Sequence, residues 1–123
     1  MVILGSTASG KSSLALKLMA WGAGLVADDQ TILTPKNDVL FASAPEAIVG
    51  LIEARNVGLL EASYVENTRI LFAVDLDKLE QKRLPEKHEI ELAGIAIPCV
   101  HKVDSSHFPA SILQYLKGGR RQP

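Results

Sequence analysis

The segment Gly5–Ser12, with the sequence GSTASGKS, constrains the fold more than any other part of this chain. It matches the pattern G-x-x-x-x-G-K-[ST] at every fixed position. Glycines are needed because a backbone that curls with its N–H groups inward uses dihedral angles that side chains obstruct. A helix that begins at such a loop directs its positive dipole end at bound negative charge. The segment therefore predicts a phosphate-binding loop of the P-loop type.

Two side chains of this loop have predicted roles toward a nucleotide. Lys11 is expected to reach the β- and γ-phosphates, and the Ser12 hydroxyl is expected to ligate Mg²⁺. ATP and Mg²⁺ are accordingly the predicted ligands. The alternative is a Gly/Ser-rich turn with Lys11 in solvent, which the flanking strand and helix patterns disfavour. The predicted nucleotide-binding residues are Gly5, Ser6, Thr7, Ala8, Ser9, Gly10, Lys11, Ser12 and Ser13.

The patterns on both sides of the loop suit this interpretation. The apolar run 2–4 predicts a buried strand, and the spacing of Leu14, Leu18 and Trp21 predicts an amphipathic helix from Ser12 to about Trp21. The run 25–27 predicts a second short strand. Together these segments predict a compact strand–helix–strand unit of the βαβ kind.

An acidic pair, Asp28-Asp29, follows the second predicted strand. Because adjacent strand residues point to opposite faces, the two carboxylates cannot do the same job. One is expected to hold Mg²⁺ and the other to accept a proton from an attacking hydroxyl. We assign Asp28 to the metal and Asp29 to the proton; the alternative is a solvated turn or helix cap.

The rest of the chain predicts an α/β domain with a mixed sheet. Residues 1–117 are expected to form one kinase domain, and residues 118–123 are expected to form a flexible tail. The further predicted elements are a β-hairpin turning at 35–38, a helix over 45–52, a strand at 70–74, an exposed loop with about one helical turn over 77–88, an extended segment 90–103 broken at Gly94 and Pro98, and a helix over 109–116.

Composition narrows the classes of function. A chain of 123 residues with 47% apolar and 22% charged residues is an ordinary globular domain. A formal net charge of -1 makes nucleic acid a poor partner, and no apolar stretch approaches the ~20 residues that span a bilayer. The single cysteine, Cys99, suits a reducing compartment, so a cytoplasmic protein is expected.

Several of these segments together resemble the catalytic domain of HPr kinase/phosphorylase. The resemblance covers nearly the whole chain, and its selective parts are Val26-Ala27-Asp28-Asp29 and the Glu53–Gly58 segment. The stretch Arg83-Leu84-Pro85 is similar to short proteobacterial members. The resemblance implies an α/β, P-loop-containing fold with a mixed central sheet, like the HPr kinase C-terminal domain.

The resemblance also implies an activity. Family members transfer phosphate from a nucleotide to a serine of the phosphocarrier HPr, and many remove it by phosphorolysis. One aspartate of the pair would act as base forward and acid in reverse. Glu53 would lie near the metal, Arg55 would act in catalysis near the phosphate, and Arg83 would lie in a loop that approaches HPr. Homo-oligomers, hexamers in the family, are implied as well.

The sequence departs from the family at two points. Asparagine stands at Asn56, where the family usually has glycine, and the residues before Gly5 offer no match for a histidine that the family has upstream of the loop. Two other functions therefore remain: a nucleotide-binding regulatory module without turnover, and a P-loop kinase of a small metabolite.

Cys99 and His101 share a predicted strand face, but two donors make a weak metal site. They are expected to pack normally, as are His88 and His107.

Overall fold

The computed structural model describes residues 1–121, which form strands and helices in a mixed order. The strands are β1 Val2–Leu4, β2 Ile32–Lys36, β3 Val39–Ser43, β4 Leu51–Ala54, β5 Gly58–Glu61, β6 Thr68–Arg69, β7 Ala73–Leu79, β8 His88–Leu92 and β9 Ile95–Lys102. The helices are α1 Lys11–Ala20, α2 Phe108–Gly118 and a short 3-10 helix at Glu46–Ile48. Of the tail predicted at 118–123, Gly118 ends α2, and residues 122 and 123 lie outside the described residues.

A four-stranded mixed sheet in the order β1-β7-β9-β8 forms the centre of the fold. β1 pairs with β7 in parallel, from Val2 opposite Ala73 to Leu4 opposite Asp75. β7 pairs with β9 in parallel, whereas β8 and β9 form an antiparallel hairpin. The prediction of an α/β fold with a mixed sheet is therefore confirmed. The carboxyl ends of β1 and β7 lie at the same edge of this sheet.

Both faces of the central sheet are buried, so the domain has three layers. Helices α1 and α2 cover one face and enclose a core of Leu14, Leu18, Phe72, Val74, Leu76, Phe108 and Ile112. The antiparallel sheet β2-β3-β6 belongs to the core at the other face. That second core contains Leu40, Ala42, Ile70, Ala73, Ile97 and Cys99. Successive residues of β7 face opposite layers, which holds the end of the central sheet in a fixed position.

Four elements were predicted correctly, and the first is the strand at 2–4, which is β1. Helix α1 follows the glycine loop, although it ends at Ala20 and Trp21 is 52% exposed. The hairpin joins β2 to β3 through Asn37 and Asp38, which have φ angles of 52° and 63°. Both residue types tolerate this left-handed conformation, which two-residue hairpin turns require. Helix α2 covers the predicted segment 109–116.

The predicted strand at 25–27 and the local βαβ unit are wrong. Leu25 forms one isolated bridge with Tyr64, and residues 26 and 27 belong to no strand. The parallel neighbour of β1 is β7 instead. A run of three apolar residues can be buried without joining a ladder, and Leu25 is 5% exposed in a loop.

Two other predicted elements are also wrong. The helix predicted at 45–52 is a 3-10 turn followed by β4, and the predicted strand 70–74 is largely a connection before β7. Ile70 is buried against the second sheet, where its N–H donates to the Leu40 carbonyl, so layer packing explains its apolar character.

Two predicted interruptions of strands, at residue 77 and at Pro98, are not found at those positions. β7 continues to Leu79, three residues into the predicted loop, and the remaining loop contains no helix among the described residues. β9 runs through Pro98, although the predicted break at Gly94 is confirmed as the turn before β9. A single proline removes only one ladder hydrogen bond, because each strand residue has one backbone N–H. β9 therefore continues through Pro98.

Candidate functional site

The loop between β1 and α1 curls back on itself. Ala8 and Gly10 have φ angles of 65° and 100°, and the N–H of Ser9 donates to the Ser6 carbonyl at 3.1 Å. Gly10 occupies the cap position of α1 and supplies no side-chain cap. The first N–H groups of α1 therefore have no side-chain acceptor at the cap, and they carry the partial positive charge of the helix end.

Gly5 stands where a larger residue does not fit. A Cβ atom at this position would lie 2.4 Å from Ser9 Oγ and 3.3 Å from Leu76 Cβ. Ser9 Oγ is itself buried and has no hydrogen-bond partner among residues 1–121. A glycine is required here because the loop backbone passes so close to its own side chains.

Replacing Gly5 with alanine is expected to displace the loop and weaken ADP binding by on the order of 10–100-fold, as small misplacements do in binding sites. Isothermal titration calorimetry with ADP and Mg²⁺ measures the affinity. Gly118→Ala is the matched control, because a Cβ there meets nothing closer than Gln114 Nε2 at 3.6 Å. Equal affinities for the Gly5 variant and the unaltered chain would contradict the prediction.

Lys11 lies at the first position of α1 and reaches back toward the strand. Its Nζ donates to the Gly5 carbonyl at 2.6 Å, and the residue is half-buried. An ammonium group has three donors, so the contact with Gly5 leaves two of them for another acceptor. The loop therefore holds a cation at its own mouth.

Ser12 and Asp28, two of the residues predicted to hold Mg²⁺, are in contact. Ser12 Oγ donates to Asp28 Oδ1 at 3.1 Å, across 16 residues of sequence. The other carboxylate oxygen, Asp28 Oδ2, accepts a hydrogen bond of 2.8 Å from the backbone N–H of Glu53 in β4. A hydroxyl and a carboxylate oxygen, both held by hydrogen bonds, form a donor set that Mg²⁺ prefers.

The remaining predicted residues lie further from this contact. Asp29 is exposed in the loop after Asp28, and the side chains of Glu53 and Arg55 are exposed on and after β4. Glu53 touches Asp28 through its main chain. Neither Glu53 nor Arg55 forms an ion pair within residues 1–121.

A cleft of about 580 Å³ lies beside this group. Gly5, Lys11, Ser12, Asp28 and Asp29 all line it, and apolar residues line its other walls. The volume lies in the range of sites that enclose small ligands, and a few polar groups at one end of an apolar cleft give a ligand its orientation. Neither Glu53 nor Arg55 is among the described residues that line the cleft.

Asp77 is a residue of this site that the sequence patterns did not predict. Its carboxylate accepts two hydrogen bonds from Ser6, one from the backbone N–H at 2.7 Å and one from the hydroxyl at 2.9 Å. The charged run predicts an exposed loop from Asp77 onward, but Asp77 lies near the carboxyl end of β7, which is beside β1. The alternation of Asp75 and Asp77 with the apolar residues of β7 was the available signal. Asp77 therefore anchors the start of the glycine loop to the neighbouring strand.

Comparison with known families assigns the chain. Residues 1–103 match the family described as the HPr Serine kinase C-terminal domain. The chain belongs to this family. The resemblance predicted from the sequence is thereby confirmed.

Individual relatives agree. The chain is 34% identical over 110 residues to an HPr kinase/phosphorylase of Caldicellulosiruptor bescii, which covers 79% of this chain and 35% of the relative. It is 32% identical over 112 residues to an HPr kinase/phosphorylase of Streptococcus salivarius, covering 80% of this chain and 36% of the relative. The chain thus spans about a third of the length of the curated relatives it matches.

A solved structure confirms the fold. The Hpr(Ser) kinase/phosphatase from Coxiella burnetii matches with a TM-score of 0.77 at 22% identity, covering 94% of this chain and 83% of that chain. The α/β fold of the HPr kinase C-terminal domain is therefore the fold of this chain. No helix among residues 1–121 combines the length and apolar character needed to cross a membrane.

Proposed function

We propose that this chain is the catalytic domain of an ATP-dependent protein serine kinase that acts on an HPr-type phosphocarrier protein. The observation that carries the proposal is the contact between Ser12 and Asp28 at the end of the glycine loop. Membership of the HPr serine kinase family and the printed activity of its relatives supply the substrate class.

The loop suits the phosphates of a nucleotide. The close approach of Gly5 to Ser9, the buried hydroxyl of Ser9 and the uncapped start of α1 are features of a backbone cradle for an anion. In the proposal, the N–H groups of residues 5–13 bind the phosphates and Lys11 neutralises their charge. Ser12 Oγ and Asp28 would hold Mg²⁺, which neutralises phosphate charge when bound.

Asp29 is the proposed proton acceptor. Its carboxylate is exposed and lines the cleft, so a serine hydroxyl of a protein substrate can approach it. The serine oxygen forms a bond to the γ-phosphorus, the bond from that phosphorus to the bridging oxygen breaks, and the serine proton passes to Asp29. ADP leaves. In phosphorolysis, an oxygen of inorganic phosphate forms a bond to the phosphorus of phosphoserine, and the bond from that phosphorus to the serine oxygen breaks. Pyrophosphate leaves, and Asp29 returns a proton to the serine oxygen.

Glu53 and Arg55 belong to the same proposal in supporting roles. The hydrogen bond from the Glu53 N–H to Asp28 ties their strand to the acidic pair. Their exposed side chains are free to meet the metal and the transferred phosphate, respectively. We also propose a cytoplasmic location, assembly into a homo-oligomer, and no nucleic-acid or membrane partner.

The test is incubation of the protein with γ-labelled ATP, Mg²⁺ and a purified HPr-type carrier. Label on the carrier serine is expected, and a carrier with that serine replaced by alanine is the matched control. Label in a small molecule instead would identify a metabolite kinase. Nucleotide binding without any transfer would identify a regulatory module. Either of these outcomes would overturn the proposed activity.

A further inference from the structure

A second polar cluster lies away from the glycine loop, at the ends of three neighbouring strands. Glu80 directly follows β7, His88 begins β8 and His101 lies near the end of β9. β8 and β9 pair so that His88 stands opposite Cys99, and His101 is two residues further on the same face. Sheet register, rather than sequence proximity, therefore brings the two histidines together.

The side chains of this cluster are in contact. His88 Nε2 lies 2.9 Å from Glu80 Oε1, and the rings of His88 and His101 stack with centroids 3.9 Å apart and planes 13° from parallel. One ligand atom from each of the three residues lies within 4.8 Å of the others. Burial lowers the pKa of His101, and the hydrogen bond with His88 lowers the pKa of Glu80.

The Glu80 carboxylate is held in place by the backbone. Its Oε2 atom accepts hydrogen bonds from the N–H groups of Gln81 and Lys82, at 3.1 and 3.2 Å. The backbone N–H of Glu80 donates to the Lys102 carbonyl at 2.8 Å. These contacts leave Oε1 directed at His88. Outer hydrogen bonds that fix a carboxylate in this way are a feature of metal sites.

We propose that Glu80, His88 and His101 form a binding site for a divalent transition metal, with Zn²⁺ the best match. Two imidazole nitrogens and one carboxylate oxygen are a known zinc donor set that leaves a fourth position open. In tetrahedral geometry at ~2.0–2.2 Å, two ligand atoms lie roughly 3.3 Å apart. The observed separations, from 2.9 Å to at most 4.8 Å, need only small side-chain movements to reach that value.

The movement required is specific. Two parallel rings direct their lone pairs side by side, so the imidazole planes must tilt toward a shared metal. Space for this exists, because the His88 side chain is 28% exposed. A cavity of about 430 Å³ is lined by all three residues, with Arg83, His107 and Arg120 at its other walls. Lys82 is paired with Glu86, which offsets its positive charge near the cluster.

Such a metal would act on the loop at 81–87. Glu80 and His88 stand at the two ends of this charged, largely exposed loop, and His101 lies on the adjacent strand. A metal bound by all three would join the loop's two ends to the central sheet. The metal would therefore restrain the loop that carries Arg83. This site lies on a different part of the molecule from Ser12 and Asp28.

The experiment is a titration of the chelator-treated protein with Co²⁺, followed by displacement with Zn²⁺. We expect one equivalent of Co²⁺ to give the intense visible absorption of tetrahedral coordination, and Zn²⁺ to abolish it. Changes in the outer-shell partners of a metal site weaken metal binding by roughly 10–100-fold. We expect a larger loss of Co²⁺ affinity from each change of a proposed ligand, namely Glu80→Gln, His88→Asn and His101→Asn. His107→Asn is the matched control, because His107 lines the same cavity but is not in the cluster. Asp28→Asn controls for binding at the glycine loop.

Each result decides the matter. Absence of the tetrahedral spectrum from the unaltered protein would overturn the proposal, as would unchanged binding in Glu80→Gln, which preserves the shape of the side chain. Loss of the spectrum in His107→Asn or Asp28→Asn would place the metal elsewhere and would also overturn it. Circular dichroism of the metal-free variants checks that each one folds. If a histidine variant does not fold, the conclusion rests on Glu80→Gln.

Discussion

Replacing Lys11 with alanine is expected to reduce phosphoryl transfer from ATP by at least roughly 10³-fold in kcat, at the upper end for a single charge-stabilising group. The Lys11 ammonium lies at the mouth of the loop, 2.6 Å from the Gly5 carbonyl. In the proposed function it neutralises charge on the transferred phosphate, and phosphoryl transfer depends mostly on positioning and charge. The measurement is transfer of γ-label to the carrier serine.

The control for this prediction separates catalysis from folding. Lys17 is exposed in the last turn of the same helix, so Lys17→Ala removes an equal charge away from the loop. It is expected to retain full activity. Both variants should melt within about 5 °C of the unaltered protein, since such a shift corresponds to roughly 1 kcal/mol in a domain of this size. Transfer by Lys11→Ala within tenfold of the unaltered rate would refute the assigned role.

Replacing Asp28 with asparagine is expected to have the second largest effect, through the metal. The change removes the negative charge that Ser12 and the Glu53 N–H now contact, and the amide nitrogen cannot accept a hydrogen bond. We expect the Mg²⁺ concentration for half-maximal transfer to rise on the order of 100-fold and maximal activity to fall. Losing one acceptor should also cost about 1–2 kcal/mol of unfolding free energy.

Two comparisons sharpen this test. Asp29→Asn is expected to lower kcat while leaving the Mg²⁺ dependence unchanged, because its proposed role concerns the proton. Asp38→Asn is the neutral control, since Asp38 lies exposed in the β2–β3 turn, where asparagine is also tolerated. Mg²⁺ titration curves of Asp28→Asn and the unaltered protein that coincide would remove Asp28 from the metal site.

Much of the candidate site follows from short stretches of sequence. The glycine loop, helix α1 and the position of Asp28 just after Val26-Ala27 are each defined within about ten residues of local pattern. Ser12 and Asp28 are in contact although residues 26 and 27 belong to no strand, and their joint role toward Mg²⁺ stays a prediction. The segment reaches the loop because Glu53 in β4 holds Asp28 in place.

Two of the errors share one cause. The apolar runs 25–27 and 70–74 were interpreted as strands because they are continuous. In a three-layer domain, a connection that crosses between layers is also apolar, since it is buried on both sides. Ile70 and Phe72 are buried in different cores before β7 begins at Ala73. Hydrophobicity alone does not distinguish that connection from a buried strand.

The sequence by itself determined that this chain has a glycine loop between a strand and a helix, and it indicated the family through the residues around Asp28 and Glu53. Only the tertiary structure decided that β7 lies beside β1 and that Asp77 binds Ser6, a partner 71 residues away. The same holds for the cluster of Glu80, His88 and His101. The physical reason is that turns and helices depend on hydrogen bonds and dihedral preferences within a few residues. Strand neighbours depend on which distant segments bury each other's apolar faces.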